Sequence, residues 1–157
     1  MVLNGGCSSM SYNPNFTGAS AAASRQLSTG YQNGTVSTMA MGTPVSTNTS
    51  GQILLTDVSS ETSSLAFVGL TNIAIPSAAS GEVVSSGRIE NVTTGFSVGD
   101  PIWVGSTAGT LTNVKPDNGS NGFTSGDFVI FIGVLVKNEF NPSLTDIQLF
   151  TQLIGQL

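Results

Sequence analysis

The sequence predicts an all-β protein: a compact β-barrel or sandwich over residues 52–157, preceded by an extended N-terminal arm, residues 1–51, with at most one short helix. Three observations carry this. From Gln52 onward, short apolar runs are punctuated by Gly, Pro, Asn and Asp, the pattern of strands joined by turns. All nine acidic residues lie at Asp57 or later, whereas residues 1–56 hold one charge, Arg25. The chain is 157 residues long and 39% apolar, enough for the core of one domain, yet only 8% of it is charged.

The arm is rich in Ser, Thr, Asn and Gly, and its apolar residues follow no sustained period. Alone it cannot bury enough surface to offset the entropy of ordering it. Its best local element is a helix over Ala19–Leu27, with Thr17 as N-cap and Gly30 placed to end it. Two readings of the arm compete. It is a loose tail or packs on its own domain, or it becomes ordered on a neighbouring subunit or a larger assembly. The shortage of charge favours the second, because scattered apolar side chains then serve as anchors for grooves. Tyr12, Phe16, Leu27 and Tyr31 are the candidate partner-binding residues.

In the β domain the expected strands are Gln52–Asp57, Ser64–Leu70, Asn72–Ile75, Gly81–Val84, Arg88–Thr93, Pro101–Gly105, Thr110–Val114, Asp127–Lys137 and Asp146–Leu153. Pro76 closes the third, since proline cannot donate to a ladder. Ile102, Val104 and Leu111 alternate with Trp103, Gly105 and Thr110, a period of two that turns one face inward. Ser106-Thr107-Ala108-Gly109 between them reads as a hairpin turn, with Gly supplying a positive φ. Asp127–Lys137 does not alternate. Both its faces are apolar, which predicts a central strand covered on both sides by a second sheet or another subunit. Phe128, Ile130, Phe131, Ile132 and Val134 are accordingly expected in the core or in a trimer interface.

Composition excludes most chemistry. There is no His and a single Cys, so Ser-His-Asp and Cys-His sites, His metal sites, zinc-type Cys clusters and internal disulfides lack their parts. No cofactor is expected. A net charge of −5 and a pI near 4.2 offer no surface for neutralising phosphate, so nucleic acid is not an expected partner. The longest apolar run, Phe128–Val136, falls well short of the roughly 20 residues that a membrane helix needs. Met1–Gly6 has neither the basic nor the apolar region of a secretory signal.

The remaining motifs are weak. Gly105–Gly109 has the outline of a nucleophile elbow but lies between strands, without a helix or a His. Asp117–Gly122 resembles the start of a calcium loop, but Gly119 stands at the third position and Phe128 at the twelfth, where ligands are required. It reads as a surface turn. The Asn-x-Ser/Thr sequons at Asn15, Asn33, Asn48, Asn91 and Asn118 are expected by chance at this composition. Neither Lys115 nor Lys137 has the spacing of a Ser-Lys dyad. Carboxylates such as Asp100 and Asp127 sit beside turn residues, where they bond backbone, so a glycosidase pair is not expected. Cys7 reads as a free thiol, with an intermolecular bridge as the alternative.

One stretch carries a resemblance. Phe96-Ser-Val-Gly-Asp-Pro-Ile-Trp-Val-Gly-Ser-Thr-Ala-Gly-Thr-Leu-Thr112, then Ile132-Gly-Val-Leu-Val136 and Asp146-Ile-Gln-Leu-Phe150, is similar to tailed-bacteriophage virion proteins, above all small capsid decoration, or cement, proteins. It covers about the last 60 residues. Residues 1–56 match no such pattern, and Thr110 stands where the family often has Lys or Arg. The resemblance implies a non-enzymatic viral structural protein on the outer capsid lattice of the virion, made in the host cytoplasm. Its implied partners are the major capsid protein and itself, as a homotrimer bridging capsomers. The alternative is a head or tail fibre module touching a host receptor, with loop Asp117–Gly122 as the contact; a small hydrolase is a distant third.

Overall fold

A computed structural model describes residues 26–157. Nine strands form one antiparallel sheet. They are β1 (Leu27–Gln32), β2 (Pro44–Thr47), β3 (Ile53–Leu55), β4 (Phe67–Thr71), β5 (Ser80–Ile89), β6 (Pro101–Val104), β7 (Leu111–Thr112), β8 (Phe128–Lys137) and β9 (Thr145–Gln156), with one helix, α1 (Glu61–Leu65), between β3 and β4. The order across the sheet is β3-β2-β4-β5-β9-β8-β6-β7, and β1 pairs with β5 off this path. The all-β expectation holds.

The sheet curls until its ends meet. Leu70 of β4, Val84 and Ile89 of β5, Ile102 and Val104 of β6, Ile130 and Ile132 of β8 and Ile147 and Leu149 of β9 converge in one core, plugged by Val58, Val92 and Phe123 from loops. The Gly109 amide donates to the Thr56 carbonyl at 3.0 Å and the Phe128 amide to the Val58 carbonyl at 2.9 Å. These bonds tie the chain just past β3 to the far side of the sheet. A second core of Met39, Val45, Ile53, Ile75 and Val83 lies on the opposite face of β5, where Val83 belongs to it and the adjacent Val84 to the first.

The expected boundary at residue 51/52 is corrected. β2 and β3 lie on either side of it and pair, Val45 opposite Leu55, and Met39 and Val45 are fully buried. From Leu27 onward the supposed arm belongs to the domain. Leu27-Ser-Thr-Gly-Tyr-Gln32 shows no apolar alternation because β1 is held by its ladder to β5, Leu27 opposite Ser86 through Gln32 opposite Ser80, not by a buried face. Most of the expected Ala19–Leu27 helix lies outside the described residues; at its end, Leu27 begins β1 instead.

Other differences have local causes. Gly81–Val84 and Arg88–Thr93 merge into β5, and Ser85-Ser86-Gly87, which reads as a break, is where β5 leaves β4 and takes up β9. Asn72–Ile75 forms no strand; Ile75 is buried and joined to Met39 by an isolated bridge. Helix α1 was not expected. Ser60 caps it by accepting from the Ser63 amide at 3.3 Å, and its Ser and Thr content hides so short a helix among loop residues.

Candidate functional site

Alternation within β6, β8 and β9 sets up two faces. Ile102 and Val104 point into the core and Trp103, between them, points out; Ile130 and Ile132 do the same around Phe131, and Leu149 lies next to outward Phe150. Because these strands are neighbours in the sheet, the three outward aromatics meet. Trp103 and Phe131 stand edge to face with ring centroids 4.8 Å apart, and Phe131 and Phe150 are tilted at 5.5 Å. Such pairs contribute about 0.5–1.5 kcal/mol beyond the area they bury. Val134, paired with Gln148, continues the outward face.

Phe150 is 50% exposed, and the Trp103 indole Nε1 is buried with no hydrogen-bond partner among the described residues. Further along β5, Arg88 pairs with Asp146 at 3.0 Å and reaches Glu139 at 3.8 Å. Asp146 is itself buried and accepts from the Asn91 amide at 3.0 Å and Asn138 Nδ2 at 3.0 Å.

One glycine makes the close packing under this face feasible. Gly133, opposite Leu149 on β9, sits where an added Cβ would collide with the Gln148 carbonyl oxygen. β8 and β9 therefore approach each other there only because position 133 has no side chain.

The candidate residues named from sequence fall into separate groups. Ile130 and Ile132 are core; Phe131 and Val134 are on the outward face; Phe128 is half-buried at the start of β8. Of the two covers expected for the second face of β8, a second sheet or another subunit, the first is corrected, since the described strands form one sheet. Leu27 is 63% exposed on β1. Tyr31 packs against the second core and so is part of its own domain's wall, not a free anchor. Tyr12 and Phe16 lie outside the described residues. Trp103 was legible as outward from its alternation with Ile102 and Val104. Phe150 was not, because its role depends on the register of β9 against β8.

The carboxylates hold turns and loops. Asp57 accepts from the Ser59 amide and hydroxyl at 3.0 and 2.7 Å, Asp127 from the Thr124 amide at 2.8 Å, and Asp100 from Asn113 at 2.8 Å and the Ser97 amide at 3.0 Å. The Asn113 bond, followed by the Ser97 amide, holds the Asp100 carboxyl below its usual range. Among the described residues no three His, Cys, Asp or Glu side chains cluster as metal ligands would. No helix among them is long and apolar enough to cross a membrane. Loop Asp117–Gly122 is a turn pinned by buried Phe123 and by Ser106 Oγ donating to the Asn121 carbonyl at 2.8 Å. Asn33, one of the sequon positions, is buried, and its amide donates to the Ser37 and Ile75 carbonyls at 2.9 Å each. No family model matches the chain, and no curated protein matches it.

Proposed function

We propose that this chain is a viral structural protein, a capsid decoration or cement protein that binds the outer lattice of a tailed-bacteriophage head and stabilises it by bridging capsomers. The observation that carries the reading is the uncharged aromatic face of Trp103, Phe131 and Phe150, on the outside of a sheet whose core is already complete. A protein that works by contact needs such a face and needs no reactive cluster. The segment similar to decoration proteins, Phe96–Thr112, contributes Trp103 to it through the β6–β7 hairpin. Homotrimeric assembly follows the same resemblance, with the aromatic face turned towards a protein neighbour in the lattice, either another copy or the major capsid protein.

The test is co-sedimentation of the purified protein with heads that lack it, followed by imaging of the particles. Density on the outer lattice and slower head disruption on heating are expected. A protein that fails to sediment with the heads, or binds them without changing their stability, overturns the reading. The second reading, a fibre module with a receptor-binding loop, is favoured if the isolated protein adsorbs to host cells and substitutions in Asp117–Gly122 abolish adsorption.

A further inference from the structure

We infer that Asn121-Gly122 is a self-modification site, at which the Gly122 backbone nitrogen converts the Asn121 side chain to aspartate and isoaspartate, and that the fold protects the other Asn-Gly pairs among the described residues. The reaction needs only water and hydroxide. The Gly122 N–H gives its proton to hydroxide and the nitrogen attacks Asn121 Cγ. A bond forms between that nitrogen and Cγ, the Cγ–Nδ2 bond breaks, and the amide nitrogen leaves as ammonia, closing a cyclic imide. Water then adds to either imide carbonyl and reopens the ring, to aspartate at one and isoaspartate at the other. The rate depends on a side-chain amide free to turn and an attacking N–H that is not engaged elsewhere; glycine as the following residue removes the Cβ that would hinder closure.

The Asn-Gly pairs at Asn33, Asn118 and Asn121 differ in these two conditions. Asn33 is buried and its side chain is held at both ends: Nδ2 donates to the Ser37 and Ile75 carbonyls at 2.9 Å each, and Oδ1 accepts from the Thr35 amide at 2.8 Å. The Gly34 N–H is also occupied, donating to the Ile53 carbonyl at 2.9 Å. Asn118 is exposed, but the Gly119 N–H donates to the Phe123 carbonyl at 2.9 Å. Only at Asn121 are both groups open. Asn121 and Gly122 are exposed, the Gly122 N–H has no acceptor among the described residues, and the Asn121 side chain makes one contact, from Nδ2 to Ser120 Oγ at 3.2 Å. The Asn121 carbonyl accepts from Ser106 Oγ at 2.8 Å, which polarises the peptide group and stabilises the anion left when the N–H is lost. The product alters the loop as well as its charge. Isoaspartate routes the main chain through the former side chain and so lengthens it just before Phe123, which plugs the first core.

This inference does not depend on what the protein binds. The test incubates the full chain at mildly alkaline pH in water enriched in heavy oxygen, folded and in concentrated urea, and follows each asparagine by peptide mapping with tandem mass spectrometry. Ring opening by water places the label in the new carboxyl group. Dividing each folded-state rate by the rate of the same residue in urea cancels the influence of neighbouring side chains. Asn4-Gly5, outside the described residues, is read separately in the same map. Expected is labelled product at Asn121 and none at Asn33 while the chain stays folded. The divided rate at Asn121 should exceed that at Asn118 by about two- to ten-fold, the factor that one net hydrogen bond on the attacking amide contributes to a barrier. An unlabelled Asn121 in folded protein, at times when the chain in urea has reacted, overturns the inference. A divided rate at Asn118 equal to or above that at Asn121 overturns it as well.

Discussion

The Gly109 amide and the Thr56 carbonyl, 3.0 Å apart, join the two ends of the curled sheet: Thr56 directly follows β3, and Gly109 is in the hairpin between β6 and β7. Two features make Gly109 hard to replace. Its φ is +74°, and an added Cβ would come within 2.8 Å of Leu55 Cδ2. Gly109→Ala is therefore expected to destabilise the fold by about 1–3 kcal/mol. In a domain of this size that lowers Tm by about 2–4 °C per kcal/mol. A melting curve that matches the unaltered protein would show that the seam contributes nothing.

Adjacent residues of β8 should behave in opposite ways. Ile130 is buried in the core and Phe131 is on the outward face. Ile130→Asp places an unpaired charge in the core, at a cost that exceeds about 5 kcal/mol and so rivals the whole stability of a small domain; no folded protein is expected. Phe131→Ser should stay folded, with a changed Trp103 emission. A folded, soluble Ile130→Asp variant would contradict the two-face assignment.

Asp146 holds the loop after β8 to the loop after β5. Removing its carboxylate in Asp146→Ala leaves Arg88 and Asn138 without their shared acceptor, and the loss should be about 2–4 kcal/mol in a urea titration, discounted because Arg88 is partly solvated. Glu139 is 3.8 Å from Arg88 and 70% exposed at its side chain. Glu139→Ala should change stability by less than about 0.5 kcal/mol. Equal losses at the two positions would mean that burial of Asp146 has no weight.

Acid should weaken the β1–β5 junction. Glu82 accepts from the Ser28 hydroxyl and from Asn72 Nδ2, the latter at 2.7 Å, and these bonds, Ser28 first, hold its carboxyl below the ordinary glutamate range. The folded state thus binds this proton more weakly than the unfolded chain does. The stabilisation is complete above the unfolded value of about 4.3 and disappears as pH falls through the lower folded value. The urea midpoints of the unaltered protein and Glu82→Gln should differ at pH 7 and converge as the pH falls through the lowered folded-state value. A gap that stays constant with pH would remove Glu82 from the acid response.

The sequence displayed the strands that carry an apolar alternation or an apolar run and concealed those that do not. Ile102-Trp103-Val104 announces its two faces by alternation, and the apolar run of β8 announces a central strand, yet the fate of that strand's second face depends on Phe150, which only pairing brings alongside. β1 is hidden because Ser, Thr and Gly make up half of it and its partner β5 is about 50 residues further on; β2, though buried, is hidden because a four-residue Pro-Val-Ser-Thr strand shows no apolar alternation. An antiparallel ladder satisfies backbone groups regardless of side chain, so composition read as an arm what register makes part of the wall. The same limit applies to Tyr31: its aromatic ring suggested an anchor, and its position opposite Gly81 on β5 turned it towards the second core.

The placement of β9 has a consequence for biosynthesis. The last of the described strands is inserted between β5 and β8, so a nascent chain that lacks it has two unsatisfied interior edges, and its halves are joined only through the seam at Thr56 and Gly109. Translation arrested before β9 would leave exposed strand edges that seek other chains, which makes the emergence of β9 a checkpoint between a folded subunit and an aggregate.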